Sequence, residues 1–257
     1  MLKITHNAGF FSCCNIRLQH TIKYFNTNKV LPTSIDSSEQ FRMYKPHALK
    51  NTDITGDFFI YDPNSPIEYT GDIEISPDTR EDQFSDYRVL NFKSISPFIH
   101  KYFSPSEDIL SIKKELLSKY NIIPEKCIGL YYRGTDKIRE TQIGDFDTFY
   151  DKLASLQTPG TQIIVQTDSF DFLQYITNKV PDAIIIHENS VSKTQRGIHN
   201  EKSSEENYRD IKTLFATFLL LSECNHLIVS SSNCSLWMMY VRGTPLNVHQ
   251  CLNNIFI

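Results

Sequence analysis

The sequence predicts an α/β protein of two lobes facing each other across a cleft, the first small and the second a Rossmann-like parallel sheet covered by helices. Three observations carry that expectation. In the second half, short continuous apolar runs such as CIGLYY, QIIVQT, AIIIH and HLIVS alternate with longer segments of helical periodicity. Continuous apolar runs are what strands buried on both faces require, and their alternation with helices indicates βαβ units. Two of the runs, QIIVQT and HLIVS, also give way to small polar residues, Thr167 and Asp168 in one and the serines from Ser230 in the other, as strand-to-helix junctions do.

Taken in order, a helix is expected over 104–120. Ser104 can cap it, Pro105 suits its first position and Glu107 completes a capping box. Ile109, Ile112, Leu116 and Tyr120 then share one face. Strands are expected at 127–133, 162–167, 183–187 and 226–230, with helices near 146–156, 169–178, 206–224 and 234–241. A long polar segment, 188–204, separates the third strand from its helix. Ligands of such a sheet belong at the carboxyl ends of its strands.

The first hundred residues carry weaker signals. Strands are expected over 2–7, 30–36 and 57–61, with a loop at 7–12 and then a helix that places Leu18, Ile22 and Phe25 on one side. Residues 62–90, rich in Asp, Pro, Ser and Thr, read as irregular, and 95–103 as a link. The division expected is 1–103 for the first lobe and 104–257 for the second.

Bulk properties exclude several classes. With 40% hydrophobic residues among 257, the chain can fill one large core or two small ones. Its 26 basic and 30 acidic residues give a net charge of −4, so no polyphosphate-tracking surface and no nucleic acid partner is expected. A nucleotide remains within reach, since one or two placed arginines hold a pyrophosphate. Six dispersed cysteines without a C-x-x-C pair read as reduced thiols of a cytoplasmic protein, and no metal site is expected. The longest apolar run, 214–221, is too short to span a bilayer, so no transmembrane segment is expected.

Five segments hold groups that could do chemistry. In CIGLYYRGTDK, Arg133 ends a strand, with Gly134, Thr135, Asp136 and Lys137 on the turn above it. A guanidinium there can fork phosphate oxygens and neutralise a departing diphosphate, although R-G-T-D also suits a plain turn with a surface ion pair. Thr167 and Asp168 sit where the next strand gives way to a helix and suit hydrogen bonds to a nucleotide ribose or base, while Asp168 or Ser169 also suits a helix N-cap. Ser230, Ser231, Ser232, Asn233 and Ser235 crowd a third junction, where exposed amides and hydroxyls offer an anion site and also a cap. The polar loop 187–206 supplies Lys193, Arg196 and His199, with Gly197 as a hinge. Asn7 and Gly9, in NAGFFS, can line the cleft from the first lobe. The aromatics Tyr131, Tyr132, Phe146, Phe149, Tyr150 and Trp237 read as core or cleft lining.

Together these segments resemble the fucosyltransferase superfamily of α1,6-, α1,2- and protein O-fucosyltransferases. Against a motif of the type G-V-H-V-R-R-T-D-K, Gly129, Arg133, Thr135, Asp136 and Lys137 match, while Tyr131 replaces the histidine and Gly134 the second arginine. Thr167 and Asp168 match an A-T-D-D-P stretch. Leu221, Ser222, Cys224, Leu227, Ile228 and the serines after them match a third region, with Asn225 in place of an aspartate. The resemblance spans about 125–243. It implies a GT-B fold and a metal-independent inverting transfer of fucose from GDP-fucose to a glycan hydroxyl, with no cofactor. It also implies that the position of Arg133 holds the β-phosphate, with Thr167 and Asp168 near the nucleotide and the serines near the diphosphate. By position, the base is expected among His6, Asp36 and His199. Another nucleotide sugar on the same fold, or a silent binding protein, are the competing expectations.

Overall fold

The computed structural model describes residues 1–67, 71–73, 83–137, 140–194 and 196–257. Near the N-terminus, β1 (Leu2–Lys3) pairs in parallel with β2 (Ile35–Asp36), and α1 (Phe10–Asn28) connects them. The expected strand over 2–7 shortens to the two residues that β2 pairs, and Asn7 then fastens the loop that follows. Its amide donates to Thr5 O at 3.0 Å, and its oxygen accepts from Arg42 N at the same distance. Helix α1 begins within the segment read as a loop and buries Leu18, Ile22 and Phe25 as expected.

Strand β3 (Phe59–Ile60) pairs antiparallel with β4 (Ser104–Pro105), and α2 (Phe92–Tyr102) lies between them in sequence. Residues 95–103, expected to be a link, are therefore mostly helix, with Ile95, Phe98, Ile99 and Tyr102 buried on one face. Of the stretch read as irregular, 68–70 and 74–82 lie outside the described residues; the remainder forms turns and a short 3-10 segment at Tyr87–Val89.

Helix α3 (Glu107–Lys119) starts two residues later than expected, with Ser106 in place of Ser104 at the N-cap. Ser104 does not cap it. Ser104 and Pro105 are drawn into the ladder with β3, and Ser106 Oγ donates to Asp57 O at 3.0 Å. Tertiary pairing overrides the local capping signal.

The chain then builds β5 (Cys127–Tyr132), α4 (Phe146–Leu156), β6 (Gln162–Thr167), α5 (Phe170–Lys179) and β7 (Ile184–Ile185). It continues through α6 (Ser204–Ser222), β8 (His226–Ser230), α7 (Asn233–Arg242), β9 (Val248–Leu252) and β10 (Ile255–Phe256). The sheet order is β10-β9-β8-β5-β6-β7, parallel except for β10. Strands β9 and β10, the latter at the sheet edge, were not anticipated. The expected third strand shrinks to two residues, as an edge strand with one partner does.

Every residue of β5 is buried, and its alternate side chains serve the two faces of the sheet. Ile128, Leu130 and Tyr132 join Phe149, Phe172 and Ile176 beneath α4 and α5. Tyr131 belongs to the larger core on the other face, which also contains Phe10, Phe11, Phe59 and Phe103 from the first part of the chain with Phe215, Phe218 and Trp237 from the second.

Candidate functional site

The register of two parallel strands creates the site. Tyr132 on β5 lies beside Thr167 on β6, so the next residues, Arg133 and Asp168, emerge together at the carboxyl edge of the sheet. Arg133 N donates to Ser230 Oγ at 3.0 Å, tying the strand end to β8. Its Nη1 bonds Asp168, and its Nη2 lies 2.6 Å from Asp136 Oδ1. Burial opposes the guanidinium charge, but Asp168 and the other negative neighbours more than offset it and raise its pKa above the ordinary value. The arginine therefore stays charged. Two of the five N–H donors of its fork are engaged by carboxylates.

Asp168 is nearly all buried and serves more than Arg133. Oδ1 accepts the Gly134 amide at 2.7 Å, and Oδ2 accepts the Thr135 hydroxyl. Capping of α5 falls to Ser169, whose Oγ accepts from Phe172 N at 3.3 Å. Thr167 Oγ1 accepts from Ser169 N at 3.0 Å. Gly134 has no room for a side chain: a β-carbon there would lie 2.5 Å from Tyr132 Cε1.

The serine-rich junction is held by protein groups. Ser232 caps α7, its Oγ accepting from Ser235 N at 3.2 Å, and Ser231 Oγ donates to Cys251 O at 2.8 Å. Ser235 Oγ donates to Ser230 O. Ser232 N donates to Tyr87 OH at 3.2 Å and Asn233 N to Gln83 Oε1 at 3.1 Å. Asn233 Oδ1 accepts from Asn15 Nδ2 at 2.7 Å, which joins α7 to α1. Lys137 is buried, with Nζ 2.8 Å from Gln83 Oε1 and 2.5 Å from Glu140 Oε2.

A cavity of about 780 Å³ opens over this edge. Of the expected site residues, Arg133, Asp136, Lys137, Asp168, His199, Ser232, Asn233 and Gly9 line it, as does His6. His199 reaches it from the polar loop. A β-carbon on Gly197 would lie 2.9 Å from both Asp136 Oδ2 and His199 Cε1, so the loop packs tightly on the Arg133 cluster. Burial, followed by the nearby Arg133, lowers the His199 pKa. Gly134, Thr135, Thr167, Ser231 and Ser235, also expected at the site, do not line the cavity.

Other expected residues are placed elsewhere. Arg196 is exposed and outside the cavity lining. Lys193 sits over the Phe170 ring at 4.4 Å. Asn7 fastens its own loop, and Asp36 accepts from Ser38 N at 2.8 Å on the far side of that loop. Neither lines the cavity.

Sequence reasoning missed Gln83, Glu140, Gln166, Asn189 and Asp210, all of which line the cavity. Asn189 Nδ2 donates to Gln166 Oε1 at 2.7 Å and to Thr217 Oγ1 at 2.8 Å. The strand-end position of Gln166 was the one available signal; the others sit in loops or helices with no local pattern. Among the described residues, no group of three or more His, Cys, Asp or Glu side chains is placed to hold a metal ion. No described helix is long and apolar enough to cross a membrane.

No family model and no curated protein matches the chain. Solved structures do. A crystal structure of the NodZ α-1,6-fucosyltransferase soaked with GDP-fucose superposes with a TM-score of 0.61, covering 100% of this chain and 98% of that one at 13% identity. The same enzyme co-crystallised with GDP gives 0.58, over 95% and 92%, at 13% identity. Fucosyltransferase NodZ from Bradyrhizobium gives 0.57, over 95% and 93%, at 14% identity. The relationship at such identities is one of architecture: this chain has, over its whole length, the GT-B-like α/β fold of the NodZ fucosyltransferases.

Proposed function

We propose that the protein is an inverting, metal-independent glycosyltransferase that moves fucose from GDP-fucose to a hydroxyl of a glycan acceptor. The observation that carries this reading is Arg133, a buried and permanently charged guanidinium aimed from the end of β5 into a cavity of about 780 Å³. That volume lies within the usual range for ligand sites, roughly 300–1,000 Å³. Crystals of proteins with this fold have been soaked with GDP-fucose or grown with GDP.

In the proposed reaction an acceptor oxygen attacks the anomeric carbon as the bond to the β-phosphate oxygen breaks. The departing electron pair stays on the diphosphate, where Arg133 and Lys137 stabilise it. The acceptor proton passes to His199, which its lowered pKa keeps neutral and able to accept it. Asp136 and Asp168 orient the guanidinium; Gly134, Thr135, Thr167, Ser231, Ser232, Asn233 and Ser235 shape the wall behind the donor. His6 and Gly9 face the acceptor side. We place residues 1–103 on that side, 104–257 on the donor side, and the protein in the cytoplasm.

Two observations favour neighbouring readings. Gly134 stands where the family motif has a second arginine and has no space for one, which suits a nucleotide sugar other than GDP-fucose. The cavity is lined by four carboxylates (Asp136, Glu140, Asp168, Asp210) against Arg133 and Lys137, which suits a binding protein without turnover.

A thermal-shift panel of GDP, UDP, CDP, dTDP and their sugars separates these readings. A true donor at 100 times its Kd stabilises the fold by roughly 2.7 kcal/mol. GDP and GDP-fucose are expected to act, and Arg133→Lys, which keeps the charge but loses the fork, is expected to abolish the shift. No response to any nucleotide would overturn the transferase reading, and GDP binding without turnover across an acceptor screen would establish the silent one.

A further inference from the structure

The oxygen of Gln83 occupies a position built for an anion. Oε1 accepts from Lys137 Nζ at 2.8 Å and from Asn233 N, in the first turn of the ten-residue helix α7, at 3.1 Å. An ammonium and a helix N-terminal amide converging on one oxygen is the donor set that binds phosphate. Here the oxygen shared by the two donors is a neutral carboxamide, and Glu140 Oε2 lies 2.5 Å from the same ammonium. Gln83, Lys137 and Asn233 all line the cavity that Arg133 faces.

The chain after Gln83 is firmly anchored. Tyr87 N donates to Gln250 Oε1 at 2.9 Å, and Gln250 Nε2 donates to Ser85 O at 2.8 Å. The Tyr87 hydroxyl donates to Gln83 O at 3.1 Å and accepts from Ser232 N at 3.2 Å. Gln83 is thus delivered to the N-terminus of α7 by a fixed strap, and the residue is 2% exposed.

We propose that Gln83 is an internal place-holder for a phosphate oxygen: it satisfies Lys137 and the α7 amide in the empty protein and competes with the diphosphate of the donor. This rests on the reading of the cavity as a nucleoside diphosphate site. The carboxamide gives the α7 amide its partner and Lys137 a second one beside Glu140 Oε2, at the cost of weaker donor binding. Charge explains why a glutamine suits the role. A glutamate would set a second carboxylate on Lys137 beside Glu140 and repel the ligand, whereas an amide oxygen makes hydrogen bonds of ordinary strength that a phosphate oxygen, with its full charge, displaces.

The test is calorimetric titration of the full chain with GDP and, separately, with inorganic pyrophosphate. Gln83→Met keeps the bulk and removes the competing oxygen; Gln83→Ala also removes the bulk, and Gln83→Glu adds a charge. Both neutral variants are expected to bind either probe roughly five- to tenfold more tightly, the equivalent of about one net hydrogen bond, and Gln83→Glu at least tenfold more weakly. Thermal melts identify any variant that fails to fold, and Gln83→Met then carries the comparison. Parent-like or weaker affinity in Gln83→Met overturns the place-holder while leaving the transferase reading intact. Tighter pyrophosphate binding without any GDP binding supports the place-holder and overturns the transferase reading. No binding of either probe to the parent or to Gln83→Met overturns both.

Discussion

A single carboxylate, Asp168, binds the guanidinium of Arg133 through Oδ2 and the backbone amide of the following residue through Oδ1, at 2.7 Å. Asp168 therefore holds the strand end in shape and keeps the fork aimed at the cavity.

Removing that carboxylate strips a buried arginine of one partner. Breaking a buried ion pair from one side typically costs about 3–5 kcal/mol, so Asp168→Ala should lose stability of that order in urea denaturation. Asp168→Asn, which retains an oxygen for the Gly134 amide, should fall between Ala and the parent. A fully stable Asp168→Ala would show that Asp136 alone can hold Arg133.

Gly134 should resist replacement for a steric reason. Its β-carbon would press on Tyr132 Cε1, and the Tyr132 ring stacks on Phe172 with centroids 4.0 Å apart, so it has little room to retreat. Gly134→Ala should cost about 1–3 kcal/mol as an overpacked site. Combined with Tyr132→Leu, the loss should be smaller than the sum of the two single changes, by at least about 0.5 kcal/mol. Strict additivity in the double-mutant cycle would contradict the clash.

Trp237 joins the first part of the chain to the second. Its ring is fully buried, with centroids 5.0 Å from Phe103 and 6.2 Å from both Phe11 and Phe59. Trp237→Ala should destabilise by about 3–5 kcal/mol. One cooperative transition, seen identically by circular dichroism and by tyrosine fluorescence, is expected in the parent; separate transitions in it would show that the two parts fold independently.

At the opposite edge of the sheet, His226 Nδ1 and His249 Nε2 lie 3.4 Å apart. Burial first, then Lys152 and His226, lowers the His249 pKa to about 4. An unfolded histidine titrates near about 6.5, so between these values the unfolded chain binds the extra proton. The contribution of His249 is therefore complete above about pH 6.5 and is lost as pH falls toward about 4. In urea midpoints taken across that window, His249→Gln should lose less stability than the parent. Parallel profiles would show that His249 titrates normally.

The periodic signals of the second half translated directly into structure because they are local. Residues 162–167 and 226–230 form strands at the expected bounds, and 146–156 forms the expected helix. Each is a run whose own apolar pattern decides its state. Arg133 and Asp168 were also visible, as the polar residues that end two of these runs. The failures share one cause, contact between segments distant in sequence. Ser104 lost its capping role to pairing with Ile60, and Gln83 entered the site from a stretch with no pattern at all.

The sequence by itself determined that a parallel sheet would form and that a cationic residue would stand at the end of one of its strands, since burial periodicity and strand-end chemistry are written in consecutive residues. Tertiary structure alone decided what that cation meets. Strand register brings Asp168 to Arg133 across 35 positions, and the strap to α7 brings Gln83 to Lys137 across 54. Such pairings depend on how the elements stack, which no local run of residues encodes.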